Sequence, residues 1–182
     1  AQSETGEFNI DDYRRLALSS RRVVAIGEIG LDYYYKPKTK GKLEQFKNLQ
    51  RQALIQQIGL AQELNLTISF HCRAAHDDLI QIIRELKTSH QELNGVIHSF
   101  VGSLDQAQKY LELGLFLGFT GIIFKQISGI NFKEVIEQIP LERALVETDA
   151  PYLIPPISVD QRLDQHQSAN LRNEPLFVKE VV

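Results

Sequence analysis

The stretch VVAIGEIGLDYY at residues 23–34 opens apolar and β-branched and closes on two carboxylates, Glu28 and Asp32. Its first part, residues 23–29, reads as a strand buried on both faces, as strands in a helix-covered parallel sheet are. Four later runs have the same character, at residues 66–70, 95–99, 115–119 and 144–147. Between them apolar residues recur at helical spacing: Phe46, Leu49, Ala53, Leu60, Ala61 and Leu64, then Leu79, Ile82, Ile83 and Leu86, then Ala107, Tyr110 and Leu111. Parallel strands require crossovers, so this alternation predicts an α/β sheet or barrel. One more helix, at residues 11–20, precedes the first strand. Beyond Pro151 the chain turns loop-like, and a last helix is expected to begin at Glu174 or Pro175 and still to be running at Val182.

With 182 residues and 43% hydrophobic content, the chain suits one domain with a real core but is short for a closed eight-stranded barrel. We expect a single domain over residues 1–182, lacking strands at its N-terminus and continuing past its C-terminus. Twenty Lys and Arg against 23 Asp and Glu give a formal charge of −3. A polyanion must then be gripped locally rather than by a broad basic surface. The single cysteine, Cys72, excludes an intrachain disulfide, and no long apolar run suggests a membrane span. A cytoplasmic setting is the expectation.

Four residues of ligand type stand at or just past the ends of four of these runs: Glu28 in VVAIGEIGLD, His71 in LTISFHCRA, His98 in GVIHSF and Asp149 in ALVETDAPYL. In a parallel barrel those ends share one face. Imidazoles and carboxylates gathered there have the composition of a zinc, manganese or magnesium site open to water and substrate. Burying four such groups without a metal or partner would be costly.

The strings GEIGLDYY, FHCRAA, IHSF, ETDAPYL and LRNEP, in that order, resemble the signatures of the TatD family of metal-dependent hydrolases across nearly the whole chain. The resemblance implies a TIM-type (β/α) barrel and hydrolysis of phosphodiester bonds in DNA, with 3'-5' exonuclease action on single strands as the finer expectation. It also implies one or two divalent ions, Glu28 bridging them, His71 and His98 on one and Asp149 on the other. Glu28 and Asp149 are then the catalytic residues, Asp149 taking a proton from the attacking water. The family's His-x-His pair, carried on its first strand, is absent from this sequence. Two alternatives therefore stand beside the nuclease: an amidohydrolase acting on C–N or ester bonds, and a catalytically impaired binding protein.

Around these residues lie candidates for substrate contact. Strand alternation returns Arg73 to the side of His71, where it either clamps a phosphate or pairs with Asp77 or Asp78. Cys72 turns the other way, as a packing residue. Tyr33, Tyr34 and Tyr35, followed by Lys36, Lys38, Lys40 and Lys42, form an aromatic and cationic loop suited to stacking and phosphate contact, with Tyr33 and Lys36 the nearest to Glu28. The alternative is a solvated loop whose tyrosines pack on the protein's own core. His76 and His90 read as surface residues, and His166 falls in the loop after Asp149. Asp32 is a candidate to orient a ligand. The RNEP element, with Asn173 or Glu174 near a helix cap, reads as support for that same loop.

Overall fold

A computed structural model of the chain describes residues 8–87, 93–156 and 172–182. It resolves into two compact units, Ala1–Val96 and Ile97–Val182.

In the first unit, helix α1 (Ile10–Leu18) opens on Asn9, whose side chain accepts from the Asp11 amide, and carries Asp11 and Asp12 in its first turn. A side-chain cap and acidic residues at that end satisfy open amides and suit the helix dipole. Strand β1 (Ala25–Asp32) follows, then α2 (Lys40–Glu63), β2 (Thr67–Arg73) and α3 (His76–Leu86). β1 and β2 pair in parallel. Arg14 ties α1 to Glu63 at 2.6 Å, while Lys47 and Arg51 tie α2 to Asp78 and Glu85 of α3 at 3.0 and 2.6 Å. Ile29, Leu31, Leu54, Ile58, Ile68, Phe70, Leu79 and Ile83 form the core.

Strand β3 (Gly95–Ile97) spans the junction of the units. In the second unit α4 (Leu104–Glu112) begins with a reciprocal capping box between Ser103 and Gln106, β4 (Phe116–Phe119) follows, and α5 (Phe132–Gln138) is capped by Asn131. β5 (Ala144–Val146) pairs with β4 in parallel. Phe100 packs edge-on against Tyr110 and Phe119 at 6.2 and 6.4 Å in a core completed by Ala107, Leu115 and Leu117.

All five expected strands exist, with ends shifted by a few residues, and α5 was not foreseen. The first differs most: β1 starts later and continues to Asp32, so Glu28 lies inside the strand rather than at its end. The last helix is also corrected. It is a short 3-10 helix, Pro175–Glu180, with Pro175 in its first turn, capped at Val181 rather than continuing. Lys40 and Lys42 belong to α2, not to the loop before it.

Candidate functional site

In the first unit the site begins with an irregularity of β1. Ile26 pairs with Ile68 and Ile29 with Phe70, so three steps on β1 match two on β2. Such a bulge inserts one residue and resets which side chains face which way. Ile26, Ile29 and Leu31 are buried, whereas Glu28, Gly30 and Asp32 are not. On β2 the alternation is regular: Ile68, Phe70 and Cys72 are buried, and Ser69, His71 and Arg73 turn the other way. His71 registers with Gly30 and Arg73 with Asp32. At Gly30 a Cβ would overlap the His71 backbone, which leaves glycine as the residue this close approach admits.

That register brings three expected residues together. His71 Nδ1 lies 2.6 Å from Glu28 Oε2, and its Nε2 lies 3.5 Å from Asp32 Oδ2. The hydrogen bond to Glu28 raises the His71 pKa against the opposing effect of burial, and the Asp32 charge adds to the rise. Asp32 is held in turn: its Oδ1 accepts from the Tyr34 amide at 2.9 Å. Gln50 of α2 accepts from its amide and donates to its carbonyl, at 2.8 and 3.0 Å. Asp32 thus stands near the far nitrogen of His71 while Glu28 holds the ring, and Gln50 is a supporting residue that a lone Gln on a helix did not signal.

Arg73 lies against Tyr34 and Asp32. Its guanidinium stacks 3.7 Å from the centre of the Tyr34 ring, and Nη1 lies 4.0 Å from Asp32 Oδ2. Tyr33 is a correction. Its ring is buried beside Phe46 with the Lys47 ammonium 4.5 Å from its centre, and burial together with Asp78 raises its pKa. A ring so enclosed offers no face to a base; Tyr34, Tyr35 and Lys36 are exposed. Cys72 is buried, as read from its parity. His76, read as a surface residue, is buried at the start of α3, where the apolar stripe of Leu79, Ile80 and Ile83 seats the helix. His90 and His166 lie outside the described residues.

The second unit builds a comparable group from loops just past strand ends. His98 Nδ1 lies 2.7 Å from Glu147 Oε2, and its Nε2 lies 3.3 Å from Asp149 Oδ1. Glu147 also accepts from the Ser99 amide at 2.5 Å. A Cβ at Gly118 would overlap the Glu147 carboxylate, so glycine there opens the space for it. Ser99 and Asp149 both hold positive φ, 45° and 55°, as does Ala74 after Arg73 at 55°. Non-glycine residues in that region cost on the order of 1–3 kcal/mol and need a surrounding structure that fixes them. For Asp149 it is Asn173, whose side-chain nitrogen lies 2.5 Å from the carbonyls of Thr148 and Tyr152 and 3.2 Å from that of Leu153. The backbone amide of Asn173 donates to Pro151. The loop-supporting part assigned to RNEP is what the structure shows, although Glu174 caps its helix without a side-chain bond. Glu147 was not singled out from the sequence; its spacing of two from Asp149 was the available signal.

Both groups share one pattern, an imidazole held by one carboxylate with a second carboxylate near its other nitrogen. In donor type this fits a divalent ion, since a ligating histidine usually bonds a carboxylate through its second nitrogen. Among the described residues no set of three or more His, Cys, Asp or Glu side chains is arranged to hold a metal ion. The imidazoles and carboxylates are turned toward one another instead.

The chain matches the family model described as "TatD related DNase" over residues 2–182. It belongs to the TatD family. Among relatives of this TatD chain, the uncharacterized metal-dependent hydrolase YcfH of Escherichia coli K12 is 37% identical over 94% of the chain and 59% of its own length. The 3'-5' ssDNA/RNA exonuclease TatD of Klebsiella pneumoniae is 38% identical over 88% of the chain and 56% of its own length. The crystal structure of YjjV, a TatD homologue from E. coli, superposes with a TM-score of 0.68 at 27% identity, covering 98% of this chain and 68% of that one. The chain spans less than two thirds of the length of YcfH and of the Klebsiella exonuclease. Parallel strands joined by helices, and likeness to a solved TatD homologue along the chain, give the expected α/β fold, consistent with a TIM-type barrel.

Proposed function

We propose that this TatD chain belongs to a divalent-metal-dependent phosphodiesterase acting on single-stranded DNA, in the sense of a 3'-5' exonuclease. The observation that carries this is the repeated carboxylate–imidazole–carboxylate arrangement at Glu28–His71–Asp32 and Glu147–His98–Asp149, in a chain of this family. Glu28, His71, His98 and Asp149 would hold the ions, with zinc, manganese and magnesium all compatible with such donors. A bound divalent ion supplies Lewis-acid polarisation of a phosphoryl oxygen and offsets developing charge.

The chain's own residues supply the rest. Glu147 fixes the orientation of the His98 ring through Nδ1, and Asp32 stands near the far nitrogen of His71. Asp149, a carboxylate at 3.3 Å from His98 Nε2, is the group to accept a proton from the attacking water. Arg73, its guanidinium over the Tyr34 ring, and the exposed Lys36 would meet substrate phosphates. Among the described residues no helix is long and apolar enough to cross a membrane.

The test pairs metal counting on purified protein with parallel assays on single-stranded DNA, a generic phosphodiester and amide substrates. Digestion of single strands that falls about 10²–10⁴-fold in Asp149→Asn is expected, the usual range for losing a positioned base. Full turnover of that variant at saturating metal removes the base role from Asp149. Amide cleavage without DNA digestion favours the amidohydrolase; a tightly held ion without any turnover favours a binding protein.

A further inference from the structure

The stacked cluster after β1 points to how a substrate would be chosen. Tyr34 and Tyr35 meet edge to face, 4.7 Å between centres and 89° between planes. They are 55% and 81% exposed, whereas Tyr33 is buried. The Arg73 guanidinium lies 3.7 Å from the centre of the Tyr34 ring and 5.8 Å from that of Tyr35. Stacking engages the face of a guanidinium and leaves its in-plane N–H fork for acceptors. Among the described residues the carboxylate near that fork is Asp32, at 4.0 Å, beyond a good hydrogen bond. The same Asp32 oxygen lies 3.5 Å from His71 Nε2, so a phosphate in the Arg73 plane would lie beside the metal-type histidine.

We propose that Tyr34, Tyr35 and Arg73 form a stacking site for an unpaired nucleobase, with Arg73 holding an adjoining phosphate and Tyr35 offering its outward face to the base. The proposal rests on the phosphodiesterase reading and adds the basis of its strand preference. An unpaired base has a π-face to give, and base–aromatic stacking is indifferent to sequence. A base inside a duplex has both faces covered by its neighbours.

The experiment measures binding of the whole protein to a labelled single-stranded phosphorothioate oligodeoxynucleotide and to an abasic strand with the same number of linkages. Tyr35→Ala is expected to weaken the base-bearing strand about 5- to 150-fold, the range of one lost base–aromatic stack, and to keep the abasic strand within about twofold. Tyr35→Trp restores the difference, and Arg73→Ala weakens both strands. An equal loss on both strands in Tyr35→Ala, or none on either, overturns the stacking site, as does a wild-type protein indifferent to the bases. The two readings separate cleanly. DNA digestion with no base-dependent effect of Tyr35→Ala retains the nuclease and removes the stacking site; base-dependent binding without hydrolysis of any phosphodiester does the reverse.

Discussion

In the first unit Glu28, His71 and Asp32 stand on two paired strands, while in the second His98, Glu147 and Asp149 stand on the chain just beyond β3 and β5. The first group is positioned by pleat, by one bulge and by register, all supported by a parallel ladder. The second depends on left-handed residues at Ser99 and Asp149, and on one amide side chain that gathers three carbonyls. A ladder spreads its stability over many bonds; a clamp concentrates it in one residue. The second group should therefore be the more vulnerable to substitutions that touch no ligand.

Among substitutions that test this contrast, the largest expected effect is at Glu147. Glu147→Gln leaves a side chain of the same shape but removes the charge that holds His98 Nδ1. We expect metal affinity, measured by chelator competition, to fall about 10–100-fold, the usual cost of losing such a partner. In the first unit the carboxylate not assigned to an ion is Asp32, and Asp32→Asn should cost less, because Asp32 lies 3.5 Å from His71 while Glu28 holds that ring at 2.6 Å. Equal losses at both positions would erase the contrast between the two groups.

Next comes Asn173→Ala, which strips a donor from the carbonyls of Thr148, Tyr152 and Leu153 around Asp149. Urea unfolding should show a loss of about 1–3 kcal/mol, at about 0.5–1.5 kcal/mol for each hydrogen bond lost. Gln50→Ala is its counterpart under Asp32, where the strand ladder remains, and should cost less. A larger loss at Gln50 would show that the ladder does not carry the first group.

The smallest effect is a dependence on pH. The His71 pKa is raised above its ordinary value of 6.5, chiefly by Glu28. A raised folded-state value means that the folded protein binds the proton more tightly than the unfolded chain. The stabilisation is thus complete below that ordinary value and is lost as pH rises through the folded one. Chelator-treated protein should lose stability with rising pH across that window, and His71→Gln should remove that part of the slope. An unchanged slope in the variant would mean that the His71–Glu28 pair does not contribute.

Much of this was legible in the sequence because its signals were local. Apolar runs located the five strands, and the parity of β2 correctly separated Cys72 from His71 and Arg73. The ordered motifs gave the family. What escaped had non-local causes. Tyr33 and Tyr35 are the same residue type two positions apart, yet one is buried and the other 81% exposed. That difference is set by α2 and α3, which bring Phe46, Lys47 and Asp78 to Tyr33. His76 has the same explanation: its charged neighbours Asp77 and Asp78 suggest a surface, while the helix seats its first residue inward.

The sequence alone determined the alternation of strands and helices, the family, and the identity of Glu28, His71, His98 and Asp149 as candidate ligands, since hydrophobic periodicity and residue chemistry are properties of the chain itself. Only the tertiary structure decided that a bulge turns Glu28 onto the face of His71, that Glu147 holds His98, and that Asn173 fixes the Asp149 loop. Each depends on a residue distant in sequence, brought within hydrogen-bond reach by packing that no local pattern encodes.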